Sequence, residues 1–364
     1  MRLGYLLLPL LLLGYASEAN ADYLEVRRSA WVKRTAEPGG EQLESLEPNA
    51  LVELISEKQT NGYYEVRTRG GTRGYLYRTL VRRHRGDIPR KQPAPSTRAP
   101  SPSPSPVDHA ASNAIRIATF NIQSFGKTKF GRAPIVAQLV DVVRSYPLVA
   151  VQELSDSTNQ VPGAFLAAIN AGGHAYDMLV SPRSGLHPSD KASQEQYAFY
   201  FDTTKVEALS TGVLFDDSED LFQREPFMAQ FKVRAGSLTL VAITIHTSPE
   251  IFAEIEHLHE VVEWARTRFP KEDDFVVLGD LNASCNYASP EQLDELQLRN
   301  MDLYSWLVPD DADTNLAPGA CAYDRIVVTA ATESGFSAWG VDRSFADNQV
   351  SDRWPVWASF GVNE

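Results

Sequence analysis

A proline- and serine-rich stretch over residues 86–113 divides the 364-residue chain into two parts. It contains three consecutive Ser-Pro pairs between Ser101 and Pro106. This composition favours an extended, solvated linker, because proline cannot donate a backbone hydrogen bond to a strand or helix. The sequence therefore predicts a small module over residues 22–85 and a large module over residues 114–364.

The first 21 residues have the organisation of a secretory signal peptide. Arg2 precedes a short apolar run that ends at Leu13, and Ala19-Asn20-Ala21 is a small-x-small cleavage pattern. A membrane anchor is the alternative, but the apolar run is shorter than the ~20 residues that span a bilayer. We therefore expect a secreted or periplasmic protein with no transmembrane segment in the mature chain.

Composition and charge exclude several classes of protein. A hydrophobic content of 43% excludes a wholly disordered chain, and two cysteines exclude a disulfide-dense scaffold or a Cys-rich zinc site. The net charge is −13, and the acidic excess lies in residues 114–364. Such a domain repels a polyanion unless cations intervene, which argues against a protein that simply coats DNA. An enzyme that binds its own divalent cations remains compatible.

Apolar strands alternate with amphipathic helices in the large module. The predicted strands cover residues 115–120, 148–151, 237–245 and 275–278, and the predicted helices cover residues 135–143 and 251–269. This alternation predicts an α/β fold of two packed sheets with helices outside.

Polar residues stand at the ends of these strands and of two later ones. They are Asn121, Glu153, His246, Asp280, Asn282, Asp324 and Asp352. A single Asp or Asn at a strand end is most simply a turn residue, but a series of them indicates a site. Oxygen ligands suit Mg²⁺, Mn²⁺ or Ca²⁺ rather than zinc. With His246 as a proton donor or acceptor, the set suits phosphodiester hydrolysis.

Ordered segments from the first of these strands to the last carry a family resemblance. They include Thr119-Phe120-Asn121, Gln152-Glu153, Ile245-His246-Thr247-Ser248-Pro249, Gly279-Asp280-Leu281-Asn282, Cys321-Ala322-Tyr323-Asp324-Arg325-Ile326 and Ser351-Asp352-Arg353. The large module thus resembles deoxyribonuclease I, of the endonuclease/exonuclease/phosphatase superfamily. The resemblance implies a four-layer α/β sandwich and a hydrolase that acts as a phosphodiesterase.

The resemblance also implies roles for these residues. Glu153 and Asn121, with Asp352, would hold a catalytic Mg²⁺ or Mn²⁺ ion. His246 would act as an acid/base group, oriented by Glu195. A hydrated divalent cation would allow water to attack a phosphodiester at neutral pH.

The scissile phosphate would lie beside the remaining residues. Asp280 would assist removal of a proton from water, with Asp324 in the same cluster. Asn121, Asn282 and Arg224 would contact the phosphate. In-line attack would leave a 5′-phosphate and a 3′-hydroxyl. We therefore expect a secreted, divalent-metal-dependent endonuclease that hydrolyses DNA with little sequence preference.

Two further features follow from the same resemblance. Cys285 and Cys321 match a structural disulfide of the family, which suits an exported protein. Asp313 matches one residue of a structural calcium site, so Ca²⁺ is a candidate second ion. A plain acidic turn is the alternative at Asp313.

Arg353 stands where the family has a histidine. Arginine stays protonated and cannot act as a general base, although Arg353 could pair with Asp324 and hold a phosphate through two donors. Ser155 and Ser193 also replace residues that enter the minor groove of DNA. Two alternatives therefore remain: a superfamily phosphoesterase acting on lipid or phosphoinositide head groups, and a catalytically impaired pseudo-nuclease that binds nucleic acid.

The small module reads as short strands separated by glycine turns. The segments Gly62-Tyr63-Tyr64-Glu65-Val66-Arg67, Gly74-Tyr75-Leu76 and Leu80-Val81 resemble a bacterial SH3-type domain, which implies a small all-β SH3-like barrel. Seven arginines between Arg67 and Arg85 follow one another with no intervening acid. We expect this module to contact an anionic polymer or cell-wall material; a solvated basic face is the alternative. No sequence pattern indicates an oligomeric state.

Overall fold

The structure is a computed structural model that describes residues 23–27, 30–37, 41–47, 50–83, 114–185, 194–249 and 252–362. The predicted signal peptide, the predicted linker and Ser193 lie outside these residues. Among the helices of these ranges, none is both long and apolar enough to cross a membrane. The chain divides into two compact units, an N-terminal one and a larger one.

The N-terminal unit is a single antiparallel sheet of seven strands in the order β3-β2-β6-β5-β4-β1-β7. The strands are β1 (Tyr23–Val26), β2 (Ala30–Lys33), β3 (Gln42–Leu46), β4 (Leu51–Thr60), β5 (Tyr63–Arg67), β6 (Arg73–Tyr77) and β7 (Val81–Arg83), with a 3₁₀ turn at Arg78–Leu80. Leu24, Val52, Val66 and Leu76 form the centre of its core. An all-β unit is thus present. The end strands β3 and β7 do not pair with each other in the described residues, so the SH3-like barrel stays a prediction.

The arginines of this unit are partly neutralised across the sheet. Three ion pairs join neighbouring strands at 2.8 to 3.0 Å: Arg67–Glu53, Arg73–Glu65 and Arg82–Glu25. The linear sequence shows no acid between these arginines, but the antiparallel register places glutamates opposite them. The surface is therefore less basic than the run of arginines indicates.

The larger unit contains thirteen strands and seven helices in its described residues. The strands are β8 (Ala114–Asn121), β9 (Leu148–Leu154), β10 (Tyr176–Val180), β11 (Gln196–Asp202), β12 (Val206–Ala208), β13 (Val213–Leu214), β14 (Phe227–Val233), β15 (Thr239–His246), β16 (Phe275–Asp280), β17 (Tyr304–Trp306), β18 (Asp324–Thr329), β19 (Phe336–Val341) and β20 (Val356–Gly361). The helices are α1 (Lys127–Phe130), α2 (Ala133–Arg144), α3 (Val161–Asn170), α4 (Ala253–Glu256), α5 (Leu258–Arg268), α6 (Pro290–Glu295) and α7 (Ala330–Glu333), and a 3₁₀ turn covers Gln297–Arg299.

Two mixed sheets pack face to face in this unit. The first has the order β10-β11-β9-β8-β20-β19, and the second has the order β12-β14-β15-β16-β18-β17, with β13 beside β14. Alternating apolar residues of both sheets, such as Phe199 and Phe231, meet in a buried core between them. Helices α2 and α3 cover the outer face of the first sheet, and α5 and α6 cover that of the second. This is the predicted α/β sandwich, in four layers.

The single helix predicted over residues 251–269 is wrong. The structure has two helices there, α4 and α5, with His257 between them. Glu254 on α4 is fully buried, and its carboxylate accepts hydrogen bonds from the backbone N–H groups of Gln223 and Ser248. These bonds anchor the first turn to loops, whereas α5 packs its apolar face on the second sheet. Apolar spacing alone does not reveal the interruption at His257.

A disulfide joins Cys285 and Cys321, as the resemblance implies. It connects the segment after β16 to the segment before β18, both of which carry candidate site residues. The bond closes a loop of 36 residues. We expect Cys285→Ser with Cys321→Ser to lower the free energy of unfolding by about 3–4 kcal/mol, because the crosslink restricts the unfolded chain.

Chemical denaturation of the oxidised wild type and the double serine variant measures this loss. Reduction of the wild type with dithiothreitol should give the same loss as the substitutions. A difference below about 1 kcal/mol would contradict the expectation.

Candidate active site

Strand register places the predicted site residues side by side. Asn121, the last residue of β8, pairs with Gln152 of β9, directly before Glu153. In the second sheet, His246 pairs with Asp280, and Asp280 pairs with Asp324. The polar ends of central strands in both sheets therefore meet at one edge of the sandwich, as the sequence predicts.

Gly279 allows two of these strands to approach. A Cβ atom at this position would lie 1.9 Å from the carbonyl oxygen of Ile245 in β15. Any side chain would therefore force β15 and β16 apart. Glycine before Asp280 keeps His246 and Asp280 in register.

Glu153 and Asn121 form one half of the site. Glu153 has a positive φ of 62°, which turns the end of β9 toward the site. Its Oε1 accepts a hydrogen bond from Asn121 Nδ2 at 2.8 Å, and its Oε2 accepts one from the backbone N–H of Ser124 at 2.6 Å. Asn121 Nδ2 also donates to Asp280 Oδ2 at 3.1 Å. The asparagine thus links the two carboxylates.

His246 lies between two carboxylates. Its Nδ1 is 3.0 Å from Glu195 Oε2, and its Nε2 is 4.0 Å from Asp280 Oδ2. Burial disfavours the imidazolium, but the hydrogen bond and charge of Glu195 and the charge of Asp280 outweigh it and raise the pKa of His246. The predicted orientation of His246 by Glu195 matches this contact.

Glu195→Gln should lower the pKa of His246. The variant removes the negative charge that stabilises the imidazolium while keeping a side chain of similar size. Because the protonated form exists below the pKa, the titration midpoint should move to lower pH. An NMR titration of the His246 ring measures it, with Glu260→Gln beside the surface residue His257 as the control. An unchanged His246 midpoint in Glu195→Gln would contradict the expectation.

Asp280, Asp324 and Arg353 form the other half of the site. Arg353 Nε donates to Asp280 Oδ2 at 3.1 Å and lies 3.8 Å from Asp324 Oδ2. Burial would raise the pKa of Asp280, but Arg353 and His246 outweigh it and lower that pKa. Burial and the charge of Asp280 raise the pKa of Asp324 well above its usual value, against the effect of Arg353. One carboxylate of the pair is therefore ionised while its neighbour favours protonation.

The sequence predicts an Arg353–Asp324 pair, and the structure adds two stronger partners. The guanidinium hydrogen bonds go to Asp280 and to Asp352 Oδ2, the latter from Nη1 at 3.1 Å. The face of the guanidinium lies 4.5 Å from the ring centre of Tyr323. Arg353 is thus held mainly by aspartates of its own chain.

The side chains of Arg224 and Asn282 both donate hydrogen bonds to backbone carbonyl oxygens. Arg224 is buried, and its guanidinium donates to the carbonyl oxygen of His246 while lying 3.6 Å from Glu195 Oε2. This contact supports the His246–Glu195 pair, and the phosphate contact of Arg224 stays a prediction. Asn282 Nδ2 donates to the carbonyl oxygen of Thr247 at 2.8 Å.

Asp313 and Ser155 lie in the described residues. Asp313 Oδ1 accepts a hydrogen bond from Asn315, and Oδ2 accepts one from Arg343 at 3.3 Å. The neighbouring Arg343 guanidinium opposes binding of a second cation, so calcium at Asp313 stays a prediction. Ser155 bonds through its backbone N–H to Phe125.

Two supporting residues are absent from the sequence predictions. Buried Lys129 donates through Nζ to the carbonyl oxygens of Ile122 and Gln123, which fixes the loop after β8. Burial lowers the pKa of Lys129 to about 8, although the charge of Glu153 opposes the shift. Thr314 Oγ1 donates to Asp324 Oδ2 at 2.9 Å. A lysine on a short helix and a threonine in a loop carry no sequence signal for such contacts.

The donor set fits a hard divalent cation. Three acceptor oxygens of the site are buried and have no hydrogen-bond partner within the described residues: Asn282 Oδ1, Asp324 Oδ1 and Asp352 Oδ1. No three His, Cys, Asp or Glu side chains of this part of the chain converge closely enough to enclose a metal ion. Oxygen acceptors of this kind suit Mg²⁺, which is usually bound by one or two carboxylates and completes its shell with water and phosphate oxygens.

Comparisons with known proteins agree with this geometry. Residues 118–355 match the Endonuclease/Exonuclease/phosphatase family. The chain is 32% identical over 262 residues to deoxyribonuclease-1 of Bos taurus and of Homo sapiens, which covers 67% of this chain and 91% of each relative. A solved endonuclease/exonuclease/phosphatase structure from Bacteroides vulgatus has a TM-score of 0.50 and 17% identity, covering 69% of this chain and 100% of that chain. This chain belongs to the endonuclease/exonuclease/phosphatase family, resembles deoxyribonuclease I within it, and is a hydrolase of phosphodiester bonds.

Proposed function

We propose that the protein is a secreted, divalent-metal-dependent endonuclease that hydrolyses DNA with little sequence preference. The observation that carries the proposal is the meeting of Glu153, His246 and Asp280 at adjacent strand ends. Two relatives at 32% identity bear the name deoxyribonuclease-1, which supports DNA as the substrate. Export is supported by the predicted signal peptide and by the Cys285–Cys321 disulfide.

Glu153 and Asn121, with Asp352, are the residues that would hold the catalytic ion. A bound Mg²⁺ or Mn²⁺ would polarise the phosphate and neutralise part of its charge. The hydrogen bonds from Asn121 and Ser124 fix the Glu153 carboxylate before the ion arrives. This preorganisation reduces the entropy lost on binding.

His246 is suited to donate a proton to the leaving 3′ oxygen. Its raised pKa favours the imidazolium, and Glu195 holds Nδ1 so that Nε2 faces the acidic cluster. Proton donation at this step prevents a strongly basic alkoxide from leaving.

Asp280 is suited to accept the proton of the attacking water. Its lowered pKa keeps it ionised, and its Oδ2 lies 4.0 Å from His246 Nε2. The water oxygen bonds to phosphorus as the bond from phosphorus to the 3′ oxygen breaks. The water proton passes to Asp280 and the His246 proton passes to the 3′ oxygen, giving a 5′-phosphate and a 3′-hydroxyl.

The proposed contacts involve phosphate rather than base edges. The resemblance implies that Asn121, Asn282 and Arg224 contact the phosphate, which carries no sequence information, whereas sequence readout needs side chains that reach base edges in a groove. Cleavage should therefore depend little on sequence.

Arg353 supports a second candidate, a pseudo-nuclease that binds DNA without cutting it. Its guanidinium occupies a place where a proton-transferring group would otherwise act, and it cannot lose its proton. This candidate predicts binding of DNA with no metal-dependent cleavage.

The test is incubation of residues 22–364 with supercoiled plasmid in Mg²⁺, Mn²⁺, Ca²⁺ or EDTA. Parallel reactions contain sphingomyelin or phosphoinositide vesicles in place of plasmid. Metal-dependent nicking with intact lipids supports the nuclease. Lipid hydrolysis without nicking supports another phosphoesterase, and DNA binding without either reaction supports the pseudo-nuclease.

A further inference from the structure

Arg353 supplies a positive charge within the cluster formed by Asp280, Asp324 and Asp352. Its guanidinium is 3.1 Å from Asp280 Oδ2, 3.8 Å from Asp324 Oδ2 and 3.1 Å from Asp352 Oδ2. The carboxylates of Asp280 and Asp324 are fully buried, and only 14% of the Arg353 side chain is exposed. Burial strengthens the attraction between the guanidinium and these carboxyl groups, because water screens charges poorly there.

The guanidinium is fixed in this position by its surroundings. The ring of Tyr323 covers one face of it at 4.5 Å. The backbone N–H of Arg353 donates to Ser351 Oγ, which itself donates to the carbonyl oxygen of Asn121 in β8. On the other side, the N–H of Trp354 donates to the carbonyl oxygen of Thr314. The segment is therefore tied to both halves of the site and cannot swing out without breaking several contacts.

In the described residues, no cationic side chain lies within hydrogen-bond distance of the Glu153 carboxylate. The Glu153 oxygens accept from the Asn121 amide and the Ser124 backbone, and His246 Nδ1 is 4.0 Å away. The two halves thus differ: Arg353 donates directly to carboxylates in one, whereas the direct donors to Glu153 in the other are an amide and a backbone N–H, with the His246 ring 4.0 Å away.

We infer that Arg353 takes the place of a second divalent cation between Asp280 and Asp324, so that the active site loads one divalent ion, on the Glu153 side. This inference rests on the divalent-metal dependence proposed above. Arg353 is then a positioning residue that supplies a permanent charge, and its removal opens an additional cation site of hard oxygen ligands.

The test counts bound Mn²⁺ by isothermal titration calorimetry and by electron paramagnetic resonance of free Mn²⁺. Arg353→Gln removes the charge and keeps a hydrogen-bond donor, so it should bind one more Mn²⁺ per chain than the wild type. Arg353→Lys keeps the charge and should give the wild-type count. Arg116→Gln, at an arginine packed on Tyr146 and Trp357 away from the cluster, should also give the wild-type count.

A second substitution locates the additional ion. Glu153→Gln should bind one Mn²⁺ fewer than the wild type, and Glu153→Gln with Arg353→Gln should return to the wild-type count. If Arg353→Gln is unfolded in EDTA, far-UV circular dichroism should show that Mn²⁺ restores its fold. Failure to fold at any Mn²⁺ concentration would overturn the inference.

Equal Mn²⁺ counts for the wild type and Arg353→Gln would also overturn it. Plasmid nicking by the wild type is measured separately, so that result would not contradict the proposed nuclease activity. A wild type that binds no Mn²⁺ at all would overturn both the inference and the proposed metal dependence.

Discussion

Replacing His246 by glutamine is expected to slow DNA cleavage by about 10²–10⁴-fold, the usual contribution of a positioned general acid or base. Glutamine keeps a polar group of similar reach toward Glu195 but cannot donate a proton to the leaving 3′ oxygen. The buried position of His246 between Glu195 and Asp280 leaves little room for a water molecule to replace it. Plasmid nicking at saturating Mg²⁺ measures the loss.

The matched control is His259→Gln. His259 bonds to the hydroxyl of Tyr304 outside the acidic cluster, so its replacement should leave the nicking rate unchanged. Thermal unfolding should show that both variants are folded. Nicking by His246→Gln within a factor of three of the wild type would remove proton donation by His246 from the mechanism.

Glu153→Gln has the second large expected effect, a loss of about 10²–10³-fold in nicking rate. A bound metal contributes several kcal/mol of charge stabilisation in the transition state, and 1.36 kcal/mol corresponds to a tenfold change in rate. The variant keeps a side chain of the same length and one acceptor oxygen, so it can keep the contact with either Asn121 or Ser124 but not both. It loses the negative charge that attracts the ion.

A titration of nicking rate against Mg²⁺ concentration separates binding from chemistry. The variant should need more Mg²⁺ than the wild type and should remain slow at the highest concentration. Glu207→Gln, which removes an exposed carboxylate paired with Arg234, is the control and should behave as the wild type. Full recovery of rate in Glu153→Gln at low Mg²⁺ would contradict the assignment.

The sequence predicts the ends of the central strands well, because an apolar run followed closely by a polar residue is a direct signal. Apolar runs such as Val241 to Ile245 and Phe275 to Leu278 are long enough to identify strands; His246 directly follows the first run, and Asp280 follows the second after Gly279. Parallel pairing then places His246 beside Asp280. The Cys285–Cys321 bond is also expected in advance, because this pair matches a structural disulfide of the family that the sequence resembles.

Contacts that depend on side-chain direction are harder to predict. Arg224 is expected at a phosphate but is buried against the carbonyl oxygen of His246. The Arg353 hydrogen bonds to Asp280 and Asp352 depend on the conformation of the segment before β20. The hydrophobic periodicity of the sequence does not predict that conformation. The hydrogen bonds that Glu254 accepts from the backbone N–H groups of Gln223 and Ser248 likewise depend on the fold rather than on a sequence pattern.

The N-terminal unit shows a similar limit. Glycine turns and alternating residues predict its strands, and the structure contains them. The run of arginines predicts a basic surface, but Glu25, Glu53 and Glu65 lie opposite three of them in the sheet. Charge along the chain therefore differs from charge on the folded surface.

Ligation of the nicked product tests hydrolysis at this site most directly. Supercoiled plasmid is nicked by the wild type in Mg²⁺, quenched with EDTA, purified and treated with DNA ligase, which joins only a 5′-phosphate to a 3′-hydroxyl. We expect EDTA to prevent nicking and ligase to seal the nicks without any other enzyme. Nicks that form in EDTA, or that ligase cannot seal, would contradict metal-dependent attack by water with the 3′ oxygen as the leaving group.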